Sequence, residues 1–79
     1  VSSDYDIIIT DSLIYGLTSL EVNRIARDKN RDVCVIVLAD LSTAEIAHKT
    51  VDEGAFAYVL KPAELEKVKS YVKLYMLTK

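Results

Sequence analysis

Three apolar, β-branched runs alternate with three stretches of helical spacing along the 79 residues. Tyr5-Asp6-Ile7-Ile8-Ile9-Thr10 ends at Asp11, Val33-Cys34-Val35-Ile36-Val37-Leu38 leads into Ala39-Asp40, and Ala57-Tyr58-Val59-Leu60 ends at Lys61-Pro62. None alternates cleanly between apolar and polar positions, which predicts strands covered on both faces, as in a parallel sheet. The helix starts carry S/T-x-x-E spacing: Thr18-Ser19-Leu20-Glu21 and Ser42-Thr43-Ala44-Glu45 each read as a capping box. The first helix is expected to run to about Arg27 and to bury Leu20, Ile25 and Ala26. The second sets Ala44, Ala47 and Val51 on one stripe and stops at Glu53-Gly54, where glycine takes the left-handed position past a helix end. The third is expected from near Ala63, after a proline that a helix start tolerates, with Leu65, Val68, Val72 and Tyr75 buried. The predicted order is βαβαβα, an α/β fold on a three-stranded parallel sheet. Right-handed crossovers put the first two helices on one face and leave the third to cover the other.

Length and composition narrow the class. One small domain spanning residues 1–79 is the ceiling, since a chain of this size buries little more than about 60% of its unfolded surface. Hydrophobic residues at 51%, charged residues at 28%, two Gly and one Pro describe a folded chain and exclude disordered, linker and collagen-like classes. One Cys excludes a disulfide framework, and one Cys with one His supplies no structural zinc site. No apolar run is long enough to span a membrane and no secretory signal pattern opens the chain, so a cytoplasmic protein is expected. The charge is uneven. Residues 1–60 hold 10 acids against five Lys or Arg, while residues 61–79 hold five Lys against two Glu. That basic stretch has no Arg and no interleaved aromatic pattern, so it reads as a solvated helix face with no nucleic-acid role.

Chemistry in open parallel sheets gathers at the carboxyl ends of strands. Those ends are Asp11, Ala39-Asp40 and Lys61, an acid and a base 50 positions apart that can meet across one rim. Such a carboxylate suits metal binding, acid–base work or attack on phosphorus, and Asp also simply begins loops. His48 reads as a helix-face histidine without a second ligand nearby, and Cys34 as a buried, inert thiol. Tyr71 and Tyr75 read as packing residues of the last helix.

These residues carry a family resemblance. The strand ending in Asp11, then Leu20-Glu21, then Val35-Ile36-Val37-Leu38, and above all Glu53-Gly54-Ala55-Phe56-Ala57-Tyr58-Val59-Leu60-Lys61-Pro62, resemble the receiver domain of two-component response regulators. The chain looks like the last two-thirds of one, a flavodoxin-like topology lacking its first two βα units. The resemblance implies that Asp11 accepts phosphate from a histidine kinase or phosphotransfer protein, that Lys61 contacts the phosphoryl group, and that Ala39 and Tyr58 hold the switch positions. It makes this a signalling module, not an enzyme. Pro62 is a cis-proline candidate whose peptide bond would set the direction of Lys61.

The departures have consequences. Ala39 stands where the family usually places a Ser or Thr hydroxyl, and losing such a charge-assisted bond costs about 1.5–3 kcal/mol. Tyr15 and Thr18-Ser19 replace the family's Pro and Asp-Gly in the loop after the phosphoacceptor. The family's acidic pair for Mg²⁺ lies on an earlier strand, and Asp11 alone makes an incomplete metal site, so Mg²⁺ binding is expected to be weak or absent. The first strand lacks the neighbour it has in a full receiver, which predicts an exposed edge covered by a second copy or by a complementing N-terminal half. The alternative to phosphorelay is a phosphorylation-independent pseudo-receiver used for protein interaction or dimerisation.

Overall fold

The computed structural model describes residues 7–62 and 64–77. Strand β1 (Ile7–Asp11) is followed by a short hairpin of β2 (Leu13–Ile14) and β3 (Leu17–Thr18), helix α1 (Ser19–Lys29) and strand β4 (Cys34–Ala39). Helix α2 (Ala44–Asp52), strand β5 (Ala57–Leu60) and helix α3 (Lys67–Leu77) complete the chain. The main sheet is parallel in the order β1-β4-β5, with Ile7 opposite Cys34, Asp11 opposite Leu38 and Ala39 opposite Leu60. The expected Tyr5 and Asp6 at the head of the first strand, and Ala63 at the head of the third helix, lie outside the described residues.

The central strand explains the absence of alternation in the sequence. Val35, Val37 and Ala39 pack with Ala47 and Ala55 on the face that α1 and α2 cover. Cys34 and Ile36 pack with Tyr75, Phe56, Tyr71 and Val72 on the face that α3 covers. Both faces are core, so both parities of β4 are apolar, and the helices divide between the faces as right-handed crossovers require.

Four expectations need correction. Ile25 is 57% exposed, because α1 turns Ser19, Asn23 and Ala26 toward the body, and Ile25 stands about 200° around the helix from Asn23. The second helix begins at Thr43, not with a box on Ser42: the Asp40 carboxylate accepts the Ser42 and Thr43 backbone N–H groups at 2.9 and 3.1 Å. Leu65 is 42% exposed because the third helix starts only at Lys67. Before it, successive tight turns run through Glu64, whose carboxylate accepts the Leu60 N–H at 3.0 Å. Finally, the segment after Asp11 is a hairpin, with Tyr15 (φ 49°) and Gly16 (φ 82°) both left-handed at its tip, the geometry of a tight two-residue turn.

The first capping box and the glycine stop are as read. The Thr18 N–H donates to the Glu21 carboxylate at 3.5 Å. Gly54 has φ 114°, a backbone conformation that L side chains rarely adopt, so conformation requires glycine; an added Cβ would meet only the movable end of Arg27, 2.8 Å away at Cζ. The α1–α2 seam that Gly54 closes is polar. The buried Ser19 hydroxyl donates to Thr50 Oγ1 at 2.6 Å, and Thr50 in turn donates to the Ile46 carbonyl at 2.8 Å. At the rim, Arg24 grips both carboxylate oxygens of Glu53 at 2.9 Å, and Arg27 donates to the Gly54 carbonyl at 3.1 Å.

Candidate functional site

Parallel pairing brings the carboxyl ends of all three long strands to one rim. The ladder continues past the strands, with the Ser12 N–H donating to the Leu38 carbonyl at 2.9 Å and the Lys61 N–H to the Ala39 carbonyl at 2.7 Å. These bonds hold Asp11 and Lys61 on either side of the end of β4. Their side chains meet: Lys61 Nζ donates to Asp11 Oδ1 at 2.8 Å, as the reading of the strand ends anticipated. The pair lines a cleft of about 150 Å³ together with Ser12, Leu13, Ala39, Asp40 and Thr43. The Lys61–Pro62 peptide is cis.

The cleft is electrostatically lopsided. Lys61 is the cation among its lining residues, between the carboxylates of Asp11 and Asp40. Its ammonium is held above the usual lysine range, first by the hydrogen bond to Asp11, with the charges of Asp11 and Asp40 adding and desolvation opposing. Asp40 is held below the usual carboxylate range, chiefly by the Ser42 hydroxyl at 2.6 Å, with Thr43 and the two backbone N–H groups contributing. Both groups are therefore firmly charged at neutral pH.

Ala39 lies at the floor of the cleft, 1% exposed and without a hydroxyl. Tyr58 stands elsewhere: it is half-buried against the α1–α2 face of the core, with the His48 ring edge-on at 6.4 Å. His48 is exposed and 3.7 Å from Asp52. Cys34 is buried, and desolvation pushes its thiol up. Ser12 and Thr43 escaped the sequence reading as cleft residues. The signal for Thr43 was its position three residues after a strand-end Asp, where a helix must be capped.

The described residues do not fit a Mg²⁺ site. Asp11 Oδ1 is taken by Lys61 and Asp40 Oδ1 by Ser42 and Thr43. Among the described residues no three His, Cys, Asp or Glu side chains come together. Mg²⁺ needs clustered oxygen ligands, so none of the chemistry below runs through a metal.

No family model matches the chain. Among curated proteins it is similar to the transcriptional regulatory protein MalR of Bacillus subtilis, 33% identical over 70 residues, which is 89% of this chain and 30% of that one. The transcriptional regulatory protein CusR of Escherichia coli is 31% identical over 78% of this chain and 27% of its own length. A cyclic di-GMP phosphodiesterase of Thermotoga maritima is 30% identical over 84% of this chain and 18% of its own. The chain thus spans less than a third of the length of these relatives. Among solved structures, a response regulator receiver domain protein from Clostridium thermocellum superposes with a TM-score of 0.83 at 23% identity, over 92% of this chain and 58% of that one. The receiver domain of Francisella response regulator 1452 superposes with a TM-score of 0.70 at 26% identity, over 99% of this chain and 65% of that one.

The α/β sheet of order β1-β4-β5, with the Asp11–Lys61 pair at its carboxyl rim, has the fold of the receiver domains that it superposes on. In fold and in sequence resemblance, the chain stands with the receiver domains of two-component response regulators.

Proposed function

We propose that this chain is the phosphoacceptor part of a phosphorelay receiver, taking a phosphoryl group on Asp11 from a phosphohistidine donor. The observation that carries the reading is the 2.8 Å contact of Lys61 Nζ with Asp11 Oδ1 across the end of β4. Lys61 engages one carboxylate oxygen, which leaves Oδ2 to attack phosphorus. The new Oδ2–P bond forms as the P–N bond of the donor breaks, its electron pair leaving on the imidazole nitrogen, which takes up a proton. Phosphoryl transfer is mostly positioning and charge neutralisation, and Lys61 supplies one positive charge on the accepting carboxylate, beside the oxygen that attacks. The domain signals and does not turn over a substrate of its own. The phosphodiesterase named above is a longer protein of which the chain covers 18%.

The edge of β1 supports a strand-pairing partner, a second copy or a complementing segment. Ile9 is 49% exposed on the outer strand of the described sheet. One observation favours the second reading, a pseudo-receiver that binds partners without phosphate: the floor of the cleft is Ala39, which offers the phosphoryl group no hydroxyl.

Radiolabelled acetyl phosphate separates the two readings. Label that is released by alkali and hydroxylamine, as an acyl phosphate is, and that disappears in Asp11→Asn and falls strongly in Lys61→Met is the expected result. Equal labelling of wild type and Asp11→Asn would leave the pseudo-receiver as the reading. Uptake is expected to be slow and unchanged by EDTA, because the described residues hold no Mg²⁺ site.

A further inference from the structure

A phosphoryl group on Asp11 brings about two negative charges into a cleft that Lys61 shares between Asp11 and Asp40. One lysine does not satisfy such an anion. Among the side chains that line the cleft, Ala39 offers no hydroxyl and Ser12 is only 2% exposed. The remaining hydroxyl is that of Thr43.

At rest that hydroxyl is redundant where it lies. Asp40 Oδ1 is within reach of four donors: the Ser42 hydroxyl at 2.6 Å, the Ser42 N–H at 2.9 Å, the Thr43 N–H at 3.1 Å and the Thr43 hydroxyl at 3.2 Å. A carboxylate oxygen offers about two lone-pair sites, so this oxygen is over-supplied, and the longest of the four contacts is Thr43's. Thr43 Oγ1 also accepts the Asp40 N–H at 3.1 Å. That bond fixes the oxygen while leaving its own proton free to turn.

We infer that Thr43 is the residue that donates a hydroxyl hydrogen bond to the phosphoryl group on Asp11, giving up its surplus bond to Asp40 as it does so. The inference rests on the phosphoacceptor reading of Asp11. Thr43 is the N-cap of α2, so the exchange carries the charge change at Asp11 to the start of that helix. The arriving anion also repels the Asp40 carboxylate, which loosens the same turn.

The test compares wild type, Thr43→Val and Thr43→Ser in the full chain, using radiolabelled acetyl phosphate and amide chemical shifts. Thermal melts confirm that each variant is folded. Thr43→Val should lower the rate of label uptake about tenfold, the effect of one charge-assisted hydrogen bond, and Thr43→Ser should restore it to within about twofold. Phosphorylation should shift the amides of residues 40–45 further in wild type and Thr43→Ser than in Thr43→Val, where only the repulsion of Asp40 remains. Label uptake that is the same in wild type and Thr43→Val overturns the role of Thr43 while leaving Asp11 as phosphoacceptor. Loss of uptake in Thr43→Val that Thr43→Ser does not restore shows that the hydroxyl is not what the reaction uses and overturns the role equally. Absence of label on wild type removes both this role and the reading it rests on.

Discussion

Single residues here are decided by what they must be bonded to. Thr50 passes a hydrogen bond from the Ser19 hydroxyl to the Ile46 carbonyl inside the α1–α2 seam, where both hydroxyls are fully buried. Thr50→Val keeps the shape and leaves the Ser19 hydroxyl without its acceptor. An unsatisfied buried polar group costs about 1–3 kcal/mol, so urea unfolding should show a loss in that range. Asn23 already carries one such atom, its buried Oδ1, while its amide donates to the Glu53 carbonyl at 3.3 Å. Cys34 gives a second expectation. Burial with a raised thiol pKa keeps it protonated and out of reach, so a thiol reagent should modify it only at the rate at which the chain unfolds.

Elements show which parts of the fold stand on their own. The strand β4 is enclosed on both sides and both faces, and nothing about it depends on a partner. Among the described residues, strand β1 has β4 on one side only, and Ile9 is half-exposed beside it. A strand edge of consecutive isoleucines is a template for pairing. The wild-type chain should therefore sediment above its 8.8 kDa mass. Ile9→Lys should fold and sediment as a monomer, because the charge lands at an exposed position on the edge. Ile8→Lys should unfold the chain, since Ile8 packs against the buried valines of β4. A wild-type monomer at all concentrations would show that the edge needs no partner.

Across the whole molecule, several carboxylates are bound more tightly in the fold than in the open chain. Asp40 is held low by the Ser42 hydroxyl, Glu53 by Arg24, and Glu64 by the Leu60 N–H and then Lys67. A carboxylate whose folded pKa lies below its unfolded value contributes stability above the unfolded value and loses it as pH falls through the folded one. The unfolded values are 3.8 for Asp40 and 4.5 for Glu53 and Glu64, so melting temperature should drop as pH falls below about 4.5. These groups are solvent-facing, so the drop should shrink in high salt. Glu53→Gln should reduce the acid sensitivity without changing the fold. Lys61 runs the opposite way. Its raised pKa adds stability below its unfolded value of 10.5, and that contribution is lost only as pH rises through the higher folded one.

The strands, the order of elements and the division of helices between faces were legible in the sequence because each rests on local pattern. Short runs of β-branched residues without alternation, bounded by turns, point to strands of a parallel sheet, and short crossovers have one hand. That reading is met by β4 on both faces, while Ile9 of β1 stays half-exposed. The pair of Asp11 and Lys61 was legible for a related reason: a parallel sheet sends every strand end to the same rim, whatever the details of packing. The lost details all depend on contacts distant in the chain or on competition for donors. Ile25 has the spacing of a core residue, but α1 rotates so that Ser19 and Asn23 meet Thr50 and Glu53 some 30 positions away. Ser42 has the spacing of a cap, but Asp40, fixed at the end of β4, takes the donors first and passes the N-cap to Thr43. Leu65 has the spacing of a helix stripe, but the bond from the Leu60 N–H to Glu64 holds the chain in turns until Lys67. Sequence pattern determined which segments become which elements. Only the tertiary structure decided how far each helix turns and which hydroxyl faces the cleft, since those are settled by which distant partner satisfies a buried polar group at the lower cost.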